Sequence, residues 1–321
     1  MSRYINPLTD FGFKYLFGNG EILKMFLNAL FEREGKVVKS VRYMNKEKTA
    51  EAADDRTIIY DIFCKVDKGE DFILEMQNKK QDTFRDRALY YASRSVIDQG
   101  ERGRLWKYRL RPVYGIYFMN FHLDDKVRDR ELTDVRLMDT ERKEVFSDKM
   151  RMIFIDLEAF GKKAEECETN LDCWIYLIKN LQIMSNTAFA PRAFDKVYTW
   201  AELAAMPKKK RLQYEESLKR YRDMLMDKET TRNAKKRARE EGREEGLAEG
   251  LAEGREAGLA EGRKAGLVEG RAEGREEGLA EAMLQAHEEK LESALQLLEL
   301  LPEEKVAEIL NLPIEEVRGL K

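Results

Sequence analysis

The stretch "TIIYDIFCKVDKGEDFILEMQN", residues 57–78, decides how this chain folds. Two runs rich in β-branched and aromatic residues, 57–66 and 72–78, flank a polar loop around Gly69, and that arrangement predicts a β-hairpin. In the second run the two-residue period of a strand places Glu75 and Gln77 on one face, where a plain strand would carry Val or Thr. In the first, Asp61 stands among Ile59, Tyr60, Ile62 and Phe63, a neighbourhood in which an isolated carboxylate is costly. With the loop centred near residue 68 or 69, Asp61 falls opposite or diagonal to Glu75 and Gln77, and the sequence leaves that register open to one residue.

Two carboxylates a few ångströms apart repel unless a proton or a cation lies between them. Oxygen ligands of this kind suit Mg²⁺ or Mn²⁺, which take one or two carboxylates and keep several waters. Such an ion activates water and neutralises charge on a phosphoryl oxygen. The same alternation also fits a half-exposed antiparallel sheet whose polar residues merely face solvent. Spacing alone leaves both readings open.

The flanking segments predict a mixed sheet covered by helices. "GEILKMFLNALFE" (20–32) carries Ile22, Met25, Phe26, Leu27, Leu30 and Phe31 at helical spacing. "TFRDRALYYASRSVIDQ" (83–99) and "NLDCWIYLIKNL" (170–181) read as further helices, and "RPVYGIYFMNF" (111–121) and "MIFIDLEAF" (152–160) as two more strands. The order of helix, two strands, helix, two strands and helices gives an α/β domain.

Composition sets the outer limits. A chain of 321 residues, 43% hydrophobic, can enclose one core of about 150 to 200 residues with length to spare. The 58 basic and 61 acidic residues leave a formal net charge of −3, so any affinity for nucleic acid must come from local patches. Cys64, Cys167 and Cys173 form no CxxC pair and the histidines are only His122 and His287, which excludes a structural zinc site or disulfide framework and suits a reducing compartment. The opening, charged at Arg3, Asp10 and Lys14, has no apolar leader core, and no run of 18 apolar residues follows. The expectation is a cytoplasmic protein without a membrane partner.

"YDIFCKVDKGEDFILEMQNKKQDTFRDRALYYASRSVIDQG" (60–100), "NPLTDFGFKYLFG" (6–18) and "LRPVYGIYFMNF" (110–121) resemble the PD-(D/E)XK nuclease superfamily over about residues 4–200. The resemblance is to the branch of recombination-promoting nucleases and transposases in which the E-x-K motif is written E-x-Q, here Glu75, Met76 and Gln77. It implies a restriction-endonuclease-like mixed β-sheet flanked by helices, hydrolysis of DNA phosphodiester bonds, and Asp61 and Glu75 as ligands of Mg²⁺ or Mn²⁺. It also implies a part in recombination or in action on mobile or foreign DNA. Gln77 takes the place of the superfamily lysine, and its amide orients a water but brings no positive charge. The alternatives are RNA cleavage, or an inactive nuclease-like module that binds nucleic acid or protein and is oligomerised by its C-terminal tail.

Other polar residues carry two readings each. Asp10 resembles the further acid that such nucleases place on a helix before the sheet, and Asp is equally a helix cap. Glu51 and Asp55, ahead of the first hairpin strand, are not separable from ordinary loop acids. Arg85, Arg87 and Arg94 share a helix with Tyr90 and Tyr91, a combination suited to DNA phosphates or to a solvated face with tyrosines packed on the sheet. His122 reads as structural and Cys64 as a small core residue.

Past residue 205 the composition changes. Residues 1–205 form the nuclease-like domain, 206–241 a charged helical connector, 242–281 a glycine-repeat spacer and 282–321 a small helical segment. Ten glycines recur every fourth residue from Gly242 to Gly278, half of the chain's 20. Each costs roughly 1 kcal/mol in a helix relative to alanine. Their stripe also drifts about 40° per repeat, which makes a straight glycine-to-glycine interface awkward. The expectation is a partly helical spacer, with self-association into a homo-oligomer through the tail as the second reading. "KKKR" (208–211) and "RNAKKRAR" (232–239) either grip phosphates or face solvent. Pro302 and Pro313 open two short terminal helices, and Leu297, Leu298, Val306, Ile309 and Leu310 serve packing or oligomerisation.

Overall fold

The computed structural model describes residues 2–45, 47–48, 58–67, 69–101, 107–184 and 194–320. Glu51 and Asp55 lie outside the described residues. The chain divides into two compact units, Met1–Glu229 and Thr230–Lys321.

The first unit is built on a six-stranded mixed sheet. Its strands are β1 (Val41–Tyr43), β4 (Ile62–Val66), β5 (Glu70–Gln77), β6 (Val113–Met119), β7 (Leu132–Asp139) and β8 (Glu144–Asp156), in the spatial order β1-β4-β5-β6-β8-β7. Strands β5, β6 and β8 run parallel, and the pairs β1/β4, β4/β5 and β7/β8 are antiparallel. Two short strands, β2 (Glu47–Lys48) and β3 (Ile58–Ile59), pair separately. The hairpin read from the sequence is β4 and β5, and its turn needs Gly69, whose φ of +83° belongs to the left-handed region.

Apolar alternation in the hairpin feeds both faces of the sheet. Ile62, Cys64, Val66, Phe72, Leu74 and Met76 join the main core, formed with α1 (Asp10–Phe17), α2 (Gly20–Leu30), α4 (Asn170–Asn180) and α5 (Asp195–Ala201). Tyr117, Met119 and Phe154 turn to the opposite face, under Phe84, Ala88 and Ala92 of α3 (Phe84–Ile97). Phe63 and Ile73 pack on that side with Tyr60 and Val113. Glu75 and Gln77, in phase with Ile73, therefore share the α3 side of β5.

Helix α1 is held tightly at its start. Thr9 caps it, its hydroxyl accepting from the Gly12 amide at 2.9 Å, so the residue next to Asp10 takes the capping role read for Asp10. Gly12 is required by close approach: a Cβ there would stand 2.0 Å from the Asn6 carbonyl oxygen. Phe13, Leu16 and Phe17 are fully buried beneath.

Several elements differ from the sequence reading. The first hairpin strand is interrupted at Tyr60 and Asp61, between β3 and β4, because the Asp61 backbone bonds to a side chain there (below) instead of continuing a ladder. Strand β8 begins well before residue 152 and pairs with β7, which was not foreseen. β7 is an edge strand, and its polar positions are tied sideways, as by the Arg151–Asp134 pair at 2.7 Å, so it lacks the apolar run that announces a strand.

Helix α6 (Lys208–Leu297) begins in the first unit, where Tyr214 is buried and its hydroxyl accepts from the Asn6 amide at 2.9 Å, near the start of the chain. The helix holds all ten repeat glycines, where a partly helical spacer was expected. In the second unit α7 (Glu303–Leu310) and α8 (Ile314–Arg318) pack with the end of α6 around Ala294, Val306, Ala307, Leu312 and Val317. Leu297, Leu298 and Leu310 join that cluster, whereas Ile309 is exposed.

Candidate active site

Residue pairing within the hairpin places Ile62 against Leu74, which brings the preceding Asp61 to Glu75. The two residues clasp each other through backbone and side chain. The Asp61 amide donates to Glu75 Oε1 at 3.1 Å, and the Met76 amide donates to Asp61 Oδ2 at 3.0 Å. Each carboxylate thus supplies the acceptor that the neighbouring strand would otherwise provide. This explains why the strand breaks at Asp61 and how a charged pair is set without disturbing the β4–β5 register.

Glu75 is 5% exposed, and burial, reinforced by the nearby Asp61 charge, pushes its carboxyl up to about 8. Three tyrosines form the apolar surroundings. Tyr117 donates its hydroxyl to the Ala88 carbonyl at 2.8 Å, and Tyr60 donates to the Tyr91 carbonyl at 3.2 Å. Burial raises all three phenols above their ordinary value, with Glu75 adding to the rise, so they stay protonated.

Two cations approach the pair from different elements. Lys14 of α1 places Nζ 3.1 Å from Asp61 Oδ1 and 2.5 Å from Asp10 Oδ1. Burial alone would lower its pKa, but the Asp61 and Asp10 carboxylates outweigh that and raise it. On the other side Gln77 Nε2 donates to Glu75 Oε2 at 3.3 Å, and the Gln77 carbonyl oxygen accepts from the Arg87 guanidinium. Arg87 also donates to Gln81 Oε1 at 2.9 Å. A continuous polar chain results: Asp10, Lys14, Asp61, Glu75, Gln77, Arg87.

The structure therefore gathers Asp61, Glu75 and Gln77, adds Asp10 through Lys14, and brings in only Arg87 of the three arginines. Arg85 is exposed and donates to the Leu123 carbonyl, with Asp124 at 3.8 Å. Arg94 is largely covered and pairs with Asp98 at 2.9 Å. Of the two tyrosines expected to pack on the sheet, Tyr91 does so beside Tyr60, whereas Tyr90 is exposed. His122 engages the buried Asp156 at 3.1 Å, and Cys64 is a core residue. Lys14 was missed; its one signal is the i,i+4 spacing to Asp10 on a helix otherwise dominated by aromatics.

The donors suit a small divalent ion. Two carboxylates offer hard oxygens, one of them buried beside a like charge that a cation would relieve. Among the described residues no group of three or more His, Cys, Asp and Glu side chains is placed to hold a metal. An ion of the Mg²⁺ type, content with one or two carboxylates and several waters, is what such a pair matches.

A mixed sheet with helices on both faces and a carboxylate pair at one end of its antiparallel hairpin defines a restriction-endonuclease-like α/β protein. The sequence model of the PD-(D/E)XK nuclease family transposases matches residues 7–231, and the chain belongs to that family. No curated protein and no solved structure matches the chain. Membership supports a nuclease-like hydrolase, a class that typically uses divalent metals and acts on DNA. No helix among the described residues is long and apolar enough to cross a membrane.

Proposed function

We propose that this protein is a divalent-metal-dependent DNA endonuclease in which Asp61 and Glu75 would hold Mg²⁺ or Mn²⁺. The observation that carries the reading is the mutual clasp of Asp61 and Glu75, which keeps two carboxyl groups together where burial and the neighbouring Asp61 charge make Glu75 hold its proton. When bound, the ion supplies Lewis-acid stabilisation of the phosphoryl oxygens and a water of lowered pKa.

The remaining chemistry belongs to the side chains. Glu75 must give up its proton before it serves as a ligand, and loading is favoured as pH rises. Gln77, held by Arg87 through its carbonyl and by Glu75 through its amide, is fixed in one orientation and lines the carboxylate pair with a neutral dipole. Arg87 acts as a positioning residue for Gln77, and exposed Arg85 is the candidate phosphate contact on α3. Residues 1–205 constitute the catalytic domain in this reading, with 206–241, 242–281 and 282–321 as connector, spacer and terminal helical segment.

Supercoiled plasmid incubated with the full chain and Mg²⁺, Mn²⁺ or EDTA tests the reading. Metal-dependent nicking or cutting that Asp61→Ala and Glu75→Ala each abolish is expected. An inactive wild type, or variants that cut at the wild-type rate, would replace it with a nuclease-like module that binds without cleaving.

A further inference from the structure

The polar chain contains two cations, and they are not equivalent. Arg87 sits behind Gln77, its guanidinium engaged by the Gln77 and Gln81 side-chain carbonyls. Lys14 approaches the carboxylate that is the more open of the pair, since Asp61 is half-buried and Glu75 buried. Its ammonium bridges Asp61 and Asp10, and Asp10, at 62% exposure, stands at the solvent side. An ammonium has three donors. Were Asp61 engaged by a divalent ion, Asp10 would still hold Lys14, and a donor now spent on Asp61 would be free beside the place where a phosphate must come.

The position is also rigidly supported. Lys14 lies in a helix capped by Thr9, pressed against the Asn6 carbonyl at Gly12 and anchored by buried Phe13 and Phe17 on either side in the sequence. A lysine held this firmly against a carboxylate pair, on an element separate from the hairpin, supplies the charge that Gln77 lacks.

We propose that Lys14 is the catalytic cation of this site: it occupies Asp61 until a divalent ion binds, and then, anchored by Asp10, donates to a non-bridging oxygen of the scissile phosphate. This rests on the endonuclease reading above, but it makes a separate demand on the protein. Lys14 and the ion compete for Asp61, so removal of the lysine charge must strengthen metal binding while it weakens cleavage. A residue that merely supports the fold would weaken both, and a bystander would change neither.

The experiment compares the full-length wild type with Lys14→Gln and Lys14→Arg. Mn²⁺ binding is titrated calorimetrically without DNA, cleavage of plasmid is followed at saturating Mn²⁺, and melting curves establish folding. For Lys14→Gln we expect Mn²⁺ affinity to rise about fivefold through loss of the competing charge, and cleavage to fall about 100-fold or more. Lys14→Arg, which keeps the charge, retains cleavage within about tenfold of wild type by the same reasoning. Folded Lys14→Gln protein that cuts like wild type, or that binds Mn²⁺ more weakly, overturns the role of Lys14 while the endonuclease reading stands. A wild type that binds no Mn²⁺ and cuts nothing overturns both.

Discussion

Replacing Glu75 with Gln should make the metal-free protein more stable at alkaline pH, although it removes a group proposed for function. The Glu75 carboxyl is displaced from 4.5 to about 8, with burial as the first cause and Asp61 as the second. Because the folded protein holds this proton more tightly than the unfolded chain, its contribution is intact below about pH 4.5 and is lost as pH climbs towards about 8. At roughly 1.36 kcal/mol per pH unit the ionised form costs on the order of 5 kcal/mol once the pH exceeds the folded value. Gln avoids that cost but gives up the acceptor for Gln77 Nε2, worth about 1 kcal/mol. The net expectation is a variant about 4 kcal/mol more stable than wild type near pH 9 in EDTA, and slightly less stable near pH 4.5. Urea denaturation followed by tryptophan fluorescence between these limits is the assay. Trp106, Trp174 and Trp200 all precede residue 230, so the signal reports the unit that contains the site. Parallel stability curves for wild type and variant across this pH range would refute the assignment of Glu75 as a buried, proton-holding carboxyl.

Arg87→Met removes both the donor that fixes Gln77 and a positive charge that lowers the Glu75 pKa. Cleavage should fall about tenfold, as for a positioning contact, and the pH at which activity is half-maximal should move upward, read from a rate profile at saturating Mn²⁺. Gly12→Ala forces a Cβ to within 2.0 Å of the Asn6 carbonyl oxygen, so the first turn of α1 must shift. Denaturation should show a loss of about 2 kcal/mol or more, with a drop in cleavage as Lys14 is carried away from Asp61.

Much of the hairpin was legible because it depends on short-range rules. Alternation alone placed Glu75 and Gln77 on one side of a strand, and the polar loop around Gly69 brought Asp61 within one residue of them. The helices α2, α3 and α4 followed from apolar spacing, since each buries one stripe against the sheet. Edge strand β7 escaped the same logic: with one neighbour and polar cross-links to β8, it carries no continuous apolar signal.

What only the tertiary structure decided is how the polar residues are shared out. Lys14 and Asp61 are 47 positions apart and meet because α1 packs on the main core with Lys14, its fifth residue, reaching the break in the hairpin strand. No local pattern distinguishes that lysine from one paired with Asp10 alone. Arg85, Arg87 and Arg94 likewise read as one basic helix face, yet packing of α3 against β6 and β8 assigns them to solvent, to Gln77 and to Asp98 respectively. Sequence periodicity fixes which face a side chain takes on its own element, whereas the partner it meets depends on how separate elements are packed, and the charge balance of this site is set at that level.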